Sequence, residues 1–569
     1  MRKITLLLLS LSLNLILTYS LGAAYRDPVW SDNGMAATPH PAATAAACEI
    51  LEQGGNAIDA AVAAAYALSV VEQYHSGLGG GEFMLIRIAE TDEIISLDAR
   101  ETAPLNAMPD MYLDPATGEA FTNKSSRGGL AAGVPGSVAG RIALIKKYGR
   151  LKHSQVVAPA IELAEDGFEL DRIYASRIDR YQDNFVENKV AASVFLPKGK
   201  PLGRGELLVQ PQLAKTLKSI AKSGNDYFYH GEGAKQIASA VQAAGGIIEE
   251  RDLAEYKLQW REPIHFKYRG YDIFSMPPPS SGGVCLAQIL NILEGYPLDF
   301  LEPTSSEYYH LFATACELSF ADRAKWLGDP GYNVLPVAGM ASKAYATELR
   351  TVIDRNYRNP VSEAGDPWQY SDDDTHTSHL SVVDADGNMC AITTSVNTSF
   401  GSLVFIPEMG IFMNSTMDDF AIEPGNPNEW GLLGSEVNSV APGKRPLSSM
   451  SPTLVLKDDK PFLCIGSVGG PRIITSIAQI ILNVVDHDMD IQQAIDMPRI
   501  HMQWRPDKLY IERDVPQVVV SQLRQMGWTV DFGRNWSLSQ GILIDNEKGW
   551  YFGASDARGV GTADSPKKR

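Results

Sequence analysis

The chain changes character near residue 377, and this change limits the folds that are open to it. Before it, residues 354–374 are polar, contain two prolines and are predicted to form an exposed linker. After it, residues 378–397 (SHLSVVDADGNMCAITTSVN) have the pattern of two strands around an Asp-Gly turn, which predicts a β-hairpin. Residues 451–467 predict a second hairpin, and residues 472–487 predict a helix directly after it.

The part of the chain before this change mixes helices with strands. Residues 40–72 predict two alanine-rich helices, separated at Gly54 and Gly55. A glycine cluster then leads into a strand at residues 75–90, and residues 93–104 predict a second strand that ends at a charged turn. Helices and strands therefore mix on both sides of residue 377, which is compatible with an α+β fold.

Composition excludes several classes of partner. The 569 residues are 44% hydrophobic and 21% charged, which is typical of a globular protein with a large core. The formal net charge of −18 argues against nucleic acid and against anionic membrane surfaces. The five cysteines are scattered and form no CxxC pair, so the sequence indicates no disulfide scaffold and no cysteine-based zinc site.

The first 24 residues predict a secretory signal peptide. Two basic residues precede an apolar stretch, and small residues follow it at positions 22–24. An uncleaved membrane anchor is the competing interpretation, because residues 4–21 nearly have the length needed to span a bilayer. Polar residues interrupt that stretch and favour cleavage, so we expect a periplasmic or secreted protein without a stable membrane span.

Motifs for metals and nucleotides are incomplete. Residues 77–82 (GLGGGE) lack the last glycine of a dinucleotide-binding loop. Residues 486–491 (DHDMDI) lack the glycine of a calcium loop, and residues 376–379 (HTSH) do not have the spacing of a helical histidine pair. These patterns predict no metal site.

A threonine at the start of the first hairpin raises a chemical possibility. The hydroxyl of threonine is a weak nucleophile, but a chain cut just before it would supply its own α-amino group as the base. An α-amino group has a pKa near ~7.7–8.0, which suits proton transfer at neutral pH. The residues alone do not decide between this possibility and an ordinary exposed loop before a strand, nor between Thr375 and Thr377.

The motifs of the chain resemble those of the γ-glutamyltransferase (γ-glutamyltranspeptidase) family. The small subunit of that family begins Thr-x-His-x-Ser-Val-Val, and the Ser-Val-Val at residues 381–383 aligns Thr377, not Thr375, with its nucleophile. Further similar motifs follow in the family's order: GGNAIDAAVA, SGLGGGEFML, RETAP, GVPGSVAG, PPPSSGG, FADRAKWLGDP, FGS, MDDF, KRPLSSMSPT, GSVGGPRIIT and YFGASDARGVG.

The resemblance implies a four-layer αββα sandwich of the N-terminal nucleophile hydrolase type, with two intertwined subunits. It implies that the precursor cleaves itself between His376 and Thr377. The products would be a large subunit of residues 25–376 and a small, catalytic subunit of residues 377–569, held as a heterodimer. The implied substrates are glutathione and other γ-glutamyl compounds, with water, amino acids or peptides as acceptors and no cofactor or metal.

The resemblance also implies roles for individual residues. Thr377 would attack the γ-carbonyl, Ser395 would hydrogen-bond the nucleophile, and Gly469 with Gly470 would supply the oxyanion hole. The α-carboxylate and α-ammonium groups of the substrate would be bound by a second set of residues: Arg100, Ser448 and Ser449 for the carboxylate, Asn397 and Asp419 for the ammonium.

Three positions depart from the family pattern. Thr416 stands where the family usually has Gln or Glu, Glu82 replaces a glycine, and Trp430 replaces another aromatic residue in the segment that covers the site. Two other functions therefore stay open. One is a cephalosporin (glutaryl) acylase of the same fold, whose acyl group lacks the ammonium. The other is a secreted homologue without catalytic activity.

Overall fold

The structure is a computed structural model that describes residues 26–121, 123–370, 380–533 and 536–568. The strands are β1 (Val29–Ser31), β2 (Met35–Thr38), β3 (Gly81–Ile88), β4 (Glu93–Ala99), β5 (Phe168–Glu169), β6 (Leu207–Leu208), β7 (Gln259–Arg261), β8 (Ile264–Tyr268), β9 (Tyr271–Ser275), β10 (Ser381–Val383), β11 (Met389–Ser395), β12 (Phe405–Ile406), β13 (Ile411–Phe412), β14 (Thr453–Lys457), β15 (Lys460–Val468), β16 (Ile500–His501), β17 (Leu509–Ile511), β18 (Val530–Phe532), β19 (Leu538–Asp545), β20 (Trp550–Ser555) and β21 (Thr562–Asp564).

Helices surround these strands. They are α1 (Pro41–Glu52), α2 (Ala57–Val71), α3 (Ser137–Tyr148), α4 (His153–Asp166), α5 (Arg172–Arg180), α6 (Gln182–Val186), α7 (Lys189–Phe195), α8 (Pro211–Ser223), α9 (Asn225–Phe228), α10 (Glu232–Ala243), α11 (Glu250–Ala254), α12 (Gly282–Leu293), α13 (Ser306–Trp326), α14 (Val337–Ala341), α15 (Lys343–Arg350), α16 (Arg472–Val485), α17 (Ile491–Asp496) and α18 (Gln517–Gln525). Short 3₁₀ turns include Thr416–Asp419 and Pro367–Tyr370.

Seven strands form a first sheet in the order β21-β2-β10-β11-β3-β4-β7. The predicted hairpin is confirmed: β10 and β11 pair antiparallel, with Ser381 opposite Ala391. Strand β11 then pairs with β3, which places Ser395 opposite Gly81, and β3 pairs with β4. The ends of β11 and β4 therefore lie near each other at one edge of the sheet.

A second sheet has the order β1-β20-β19-β15-β14-β9-β8. It contains the second predicted hairpin, β14–β15, followed by the predicted helix α16. Each sheet combines strands from both sides of residue 377. The first sheet takes β10, β11 and β21 from the later part, and the second takes β14, β15, β19 and β20.

The two sheets pack face to face around an apolar core. Met35, Leu85 and Ala391 of the first sheet share this core with Leu454 and Ile542 of the second. Helices α1, α2 and α4 pack outside the first sheet, and α12, α13 and α16 pack outside the second. The predicted four-layer αββα sandwich is thereby confirmed.

Helix α2 lies in the outer helix layer but, because it is rich in alanine, has no polar face toward solvent. All 15 of its residues are buried, which is what a helix that is apolar all round requires. Asn56 caps its N-terminus by accepting hydrogen bonds from the backbone N–H groups of Ile58 and Asp59. The predicted break between α1 and α2 is confirmed at residues 53–56.

The predicted linker is only partly exposed. Most of residues 354–370 are exposed or half-buried, but Arg358 is buried and forms ion pairs with Glu317 and Asp507. The prediction is therefore wrong at Arg358, because two carboxylates from other elements compensate the cost of burying its charge. Residues 371–374 lie outside the described residues.

No helix in the described part of the chain has the length and apolar character needed to cross a membrane. The predicted signal peptide, residues 1–24, lies outside that part.

Candidate active site

A cavity of about 940 Å³ lies where strands β4, β11 and β15 end. Eight of the residues singled out from the sequence line it: Arg100, Ser395, Asn397, Asp419, Ser448, Ser449, Gly469 and Gly470. They come from five separate stretches of chain, so the fold brings together residues that are up to 370 positions apart (470 − 100 = 370). The site is assembled by both sheets.

Arg100 and Asp419 form an ion pair at the wall of the cavity. Arg100 follows the last residue of β4 directly, and its side chain is 1% exposed. Its Nη2 donates to Oδ2 of Asp419, which ends the 3₁₀ turn Thr416–Asp419 and is 13% exposed. Tyr256 fixes the backbone by donating a hydrogen bond to the carbonyl of Arg100 at 2.9 Å. A cation and an anion thus stand side by side at the cavity surface.

Burial shifts the proton equilibria of the acids in this region. It raises the pKa of Asp419 to about 6, although the charge of Arg100 acts in the opposite direction. Burial also raises the pKa of Glu101, which is fully buried behind Arg100. Asp419 is therefore an anion at neutral pH and loses its charge in mildly acidic solution.

Ser448 and Ser449 are held by the loop before α12 and by a buried arginine. Ser448 donates its backbone N–H to the carbonyl of Pro279 at 2.7 Å, and the N–H of Ser281 donates to the Ser448 carbonyl at 2.8 Å. Arg323 of α13 donates to Oγ of Ser449 at 3.3 Å. These contacts direct a small polar segment toward the cavity.

Arg323 is a cavity residue that sequence reasoning did not single out. It is buried, lines the cavity and donates through Nε to Oγ of Ser281 at 2.8 Å. Burial lowers its pKa, while Asp419 opposes that effect. Arg323 belongs to the motif FADRAKWLGDP. The helical pattern of that motif does not show whether this arginine faces the cavity or the solvent.

Ser395 and Asn397 mark the end of β11. Oγ of Ser395 accepts a hydrogen bond from the backbone N–H of Asn397 at 2.9 Å. Asn397 has a φ of 71°, donates through Nδ2 to the carbonyl of Ser415, and accepts from Nε1 of Trp430 at 2.7 Å. The indole of Trp430 is thereby attached to the residue predicted to contact the substrate ammonium.

Gly469 and Gly470 form the turn between β15 and α16, with φ angles of 134° and 59°. Both values lie in the region that favours glycine. A Cβ on Gly470 would lie 2.7 Å from the ring of Trp430, so a side chain there would displace the indole. In the described residues, neither backbone N–H donates a hydrogen bond. These two N–H groups are thus available to an oxyanion, as an oxyanion hole requires.

Thr377 and His376, the predicted nucleophile and cleavage site, lie outside the described residues. The described chain resumes at Leu380, which lines the cavity and precedes β10. The first described residue of the predicted small subunit therefore lies at this cavity.

The departures from the family pattern have distinct surroundings. Thr416 is buried and donates its hydroxyl to Oε1 of Glu101 at 2.7 Å. Glu82 is fully buried and forms an ion pair with Arg141 of α3, which also donates to Oγ of Ser69 at 2.9 Å. Thr416 and Glu82 do not line the cavity.

Among the described residues, no group of three or more His, Cys, Asp and Glu side chains is arranged to hold a metal ion. The five cysteines are buried as free thiols. Burial raises the pKa of Cys285 to about 11, so this thiol is neutral at physiological pH.

Comparison with known proteins agrees with this geometry. The family model for gamma-glutamyltranspeptidase matches residues 43–565. The glutathione hydrolase proenzyme of Escherichia coli (strain K12) is 42% identical over 534 residues, which cover 94% of this chain and 92% of that protein. The chain belongs to the gamma-glutamyltranspeptidase family.

Solved structures similar to this gamma-glutamyltranspeptidase family member include a cephalosporin acylase and a gamma-glutamyltranspeptidase. A cephalosporin acylase from Bacillus halodurans superposes with a TM-score of 0.85 at 29% identity, covering 97% of this chain and 99% of that one. The gamma-glutamyltranspeptidase of Helicobacter pylori has a TM-score of 0.58 at 41% identity and covers 59% of this chain and 97% of that one. The fold is therefore that of the N-terminal nucleophile hydrolases.

Proposed function

We propose that this chain is a self-cleaving precursor of a γ-glutamyltransferase and glutathione hydrolase. Cleavage between His376 and Thr377 would give a large subunit of residues 25–376 and a small subunit of residues 377–569. The enzyme would transfer the γ-glutamyl group of glutathione to water, to an amino acid or to a peptide. A secretory leader at residues 1–24 supports a periplasmic or secreted location.

The Arg100–Asp419 pair at the cavity wall carries this proposal. The free end of a γ-glutamyl group is a zwitterion, with a carboxylate and an ammonium on one carbon. Arg100 offers a planar, bidentate partner for the carboxylate, and Asp419 offers an acceptor for the ammonium. Ser448 and Ser449 add hydroxyl donors to the same wall. A wall with paired charges of opposite sign suits such a zwitterion better than a simple acid.

In the proposed reaction, the α-amino group of Thr377 accepts the proton of its own hydroxyl. Oγ attacks the γ-carbonyl carbon, and the resulting oxyanion accepts hydrogen bonds from the N–H groups of Gly469 and Gly470. Collapse of this intermediate breaks the C–N bond, and the leaving amine takes the proton from the α-ammonium. A γ-glutamyl ester on Thr377 remains, and Ser395 orients the hydroxyl before the attack.

Release of the γ-glutamyl group repeats these steps with a new nucleophile. Water or an amine enters the space that the leaving group has vacated, gives a proton to the α-amino group and attacks the ester carbon. Oγ of Thr377 then departs and recovers its proton. The chain needs no redox change in this sequence, since every step moves a proton or an acyl group.

A cephalosporin acylase is the second candidate, and the similarity to the acylase of Bacillus halodurans favours it. A glutaryl group has a carboxylate but no ammonium at its free end. An enzyme for glutaryl groups does not need the carboxylate anion of Asp419. Thr416 cannot take the place of Asp419, because the hydroxyl of Thr416 donates to Glu101. The exposed edge of the Asp419 carboxylate therefore favours the γ-glutamyl group.

Two measurements test the proposal. Denaturing electrophoresis with N-terminal sequencing should give two chains, the smaller beginning Thr-Ser-His-Leu-Ser. The purified protein should hydrolyse γ-glutamyl-4-nitroanilide faster than glutaryl-4-nitroanilide. A single uncut chain without activity would support a non-catalytic homologue, and a preference for the glutaryl substrate would replace the transferase with the acylase.

A further inference from the structure

The cavity has the opposite electrostatic character from the protein as a whole. The chain has a net charge of −18, yet among the described residues eight arginines line the cavity against four carboxylates. The arginines are Arg100, Arg127, Arg172, Arg177, Arg180, Arg323, Arg472 and Arg558, and the carboxylates are Glu72, Asp419, Glu429 and Glu512. An excess of positive charge in a recessed site favours an anionic ligand.

Three of these arginines form one face of helix α5. Arg172, Ser176 and Arg180 are spaced four residues apart, Arg177 adjoins them, and all four line the cavity. The opposite face of the helix carries Tyr174 and Ile178, which are buried in the outer helix layer. The helix is therefore amphipathic, with an apolar side in the core and a basic side in the cavity.

The arginines on the basic face of α5 differ from Arg100 and Arg558 because no carboxylate in the described part of the chain pairs with them. Arg472 also forms no ion pair there, but its guanidinium lies over the rings of Tyr510 and Trp536. Among the described residues, Arg172, Arg177 and Arg180 form no ion pair. Arg100, in contrast, pairs with Asp419, and Arg558 pairs with Glu512. Other cavity arginines are held by neutral groups: Arg323 by Ser281 and Ser449, Arg127 by Thr398 and the carbonyl of Gly401.

The acidic groups near this face are also engaged. Asp171 caps the N-terminus of α5 and lies 3.6 Å from Nε2 of His40. Glu72 is buried and accepts a hydrogen bond from Tyr74, and burial raises its pKa to about 7. Glu429 lies in the segment that carries Trp430, and no ion pair joins it to α5 among the described residues. The guanidinium groups of α5 therefore have no carboxylate of their own in the described chain.

A short series of contacts connects α5 to the end of β11, where Ser395 is predicted to hydrogen-bond the nucleophile. The ring of Tyr174 lies 4.9 Å from the ring of Tyr74. The carbonyl of the next residue, His75, accepts a hydrogen bond from the N–H of Val396 at 3.1 Å, between Ser395 and Asn397. Arg177 contributes to lowering the pKa of His75 to about 3, after the larger effect of burial. The basic face thus adjoins the end of β11.

We propose that Arg177 and Arg180, with Arg172, bind a carboxylate on the part of the substrate that lies beyond the γ-glutamyl bond. This inference rests on the proposed function. The glycine carboxylate of glutathione is such a group, and so is the C-terminal carboxylate of a peptide acceptor. Because the acceptor enters the space that the leaving group vacates, one basic face serves both steps. Its arginines determine specificity and take no part in proton transfer.

The test compares substrates that differ in this carboxylate alone. For the wild type, kcat/KM for glutathione should exceed that for its glycine ethyl ester by about tenfold, the difference that one charge-assisted contact makes. In the Arg177→Glu, Arg180→Glu double variant this ratio should fall to about one or below. The Arg177→Lys, Arg180→Lys variant should keep most of the ratio, since it keeps the charge. Arg204→Glu, which changes an exposed arginine outside the cavity, is the matched control and should keep all of it.

A second comparison separates the acceptor from the donor. With γ-glutamyl-4-nitroanilide as donor, glycylglycine should have a lower KM than glycylglycine amide, and the double variant should lose this difference. If the double variant loses only its preference for glutathione over the ethyl ester, the basic face serves the leaving group, and the acceptor part of the proposal is wrong. An unchanged ratio in both comparisons would overturn the proposal entirely.

Folding failure and failure of the proposed function have separate signatures. A double variant that does not mature into two chains would be replaced by Arg177→Gln and Arg180→Gln, and unchanged ratios in both of these would overturn the proposal. A wild type that hydrolyses γ-glutamyl-4-nitroanilide but does not distinguish glutathione from its ester would also overturn it, while leaving the proposed function intact. A wild type inactive on every γ-glutamyl substrate would remove both.

Discussion

Two arginine–carboxylate pairs start near each other in one sheet, but only one of them lines the cavity. One joins Arg100 to Asp419, and the other joins Arg141 to Glu82. Glu82 of β3 stands opposite Ala99 of β4, the residue before Arg100, so the two pairs start from neighbouring positions of one sheet. Their residue types and strand context would not tell them apart.

The surroundings of the two pairs explain the difference. Arg141 and Glu82 are both fully buried, and Arg141 is completed by Ser69 and by the ring of Tyr66, whose centroid lies 4.7 Å from the guanidinium carbon. Asp419 keeps 13% of its side chain exposed and lines the cavity. An ion pair that faces a cavity can replace some of its contacts with contacts to a ligand. An ion pair that no ligand can reach affects only the stability of the fold.

The largest effect is expected from Arg100→Met. This change removes the proposed partner for the substrate carboxylate and leaves Asp419 without its cation, so kcat/KM for γ-glutamyl-4-nitroanilide should fall by about 10³-fold, or ~4 kcal/mol. Steady-state kinetics on the matured enzyme measures this. If the loss is under tenfold, Arg100 is a structural residue like Arg141, and the distinction between the pairs disappears.

The second effect concerns stability instead of activity. Arg141→Leu leaves the buried carboxylate of Glu82 uncompensated and should cost about 3 kcal/mol, visible as a lower thermal midpoint. Adding Glu82→Leu should recover most of the loss, because an apolar pair replaces the ion pair. Matured protein of both variants should keep kcat/KM within about threefold of the wild type. A large catalytic defect in the double variant would show that this pair also supports the site.

The third prediction uses the proton equilibrium of Asp419. Its pKa is raised to about 6, so the anion proposed to bind the substrate ammonium is present above that pH and is lost as the pH falls through it. Protonation of the proposed base, the Thr377 α-amino group with a pKa near ~7.7–8.0, should already lower kcat/KM for γ-glutamyl-4-nitroanilide about tenfold per pH unit below that pKa. Below pH ~5, loss of the Asp419 charge should add a further factor of about ten per pH unit. Asp419→Asn should lower kcat/KM and remove this additional slope; if the additional slope persists in the variant, it belongs to another group.

The smallest effect is expected from Trp430→Phe. The variant keeps a ring over Gly470 but loses the hydrogen bond from Nε1 to Asn397, a contact of about 1 kcal/mol. KM for γ-glutamyl substrates should rise by about fivefold with little change in kcat. Trp368→Phe, at an exposed tryptophan outside the cavity, serves as the control. An unchanged KM in Trp430→Phe would mean that Asn397 is positioned without the indole.

The sequence predicted the elements well where one local pattern decides them. The hairpins β10–β11 and β14–β15 follow from alternation and turn residues, and the alanine-rich helices follow from their composition and their glycine break. The four-layer arrangement came from resemblance, because no local pattern states which sheet a strand joins.

Side-chain direction was the main property that the sequence did not reveal. The pairing of Glu82 with Arg141, the burial of Arg358 and the entry of Arg323 into the cavity all depend on contacts between distant segments. The basic face of α5 could have been found from its four-residue spacing, yet its position over the cavity could not. The roles proposed for Thr377 and the other site residues stay predictions.

The interleaving of strands has a consequence for how the two chains would part. A single break between residues 370 and 380 would leave both sheets built from two polypeptides, with three strands of the first sheet and four of the second belonging to the shorter one. Dilution should then not dissociate the pair, since separation requires dismantling both sheets. Once denatured, however, the two polypeptides would have to find each other again, so recovery of the native state would depend on protein concentration, whereas that of the uncut chain would not.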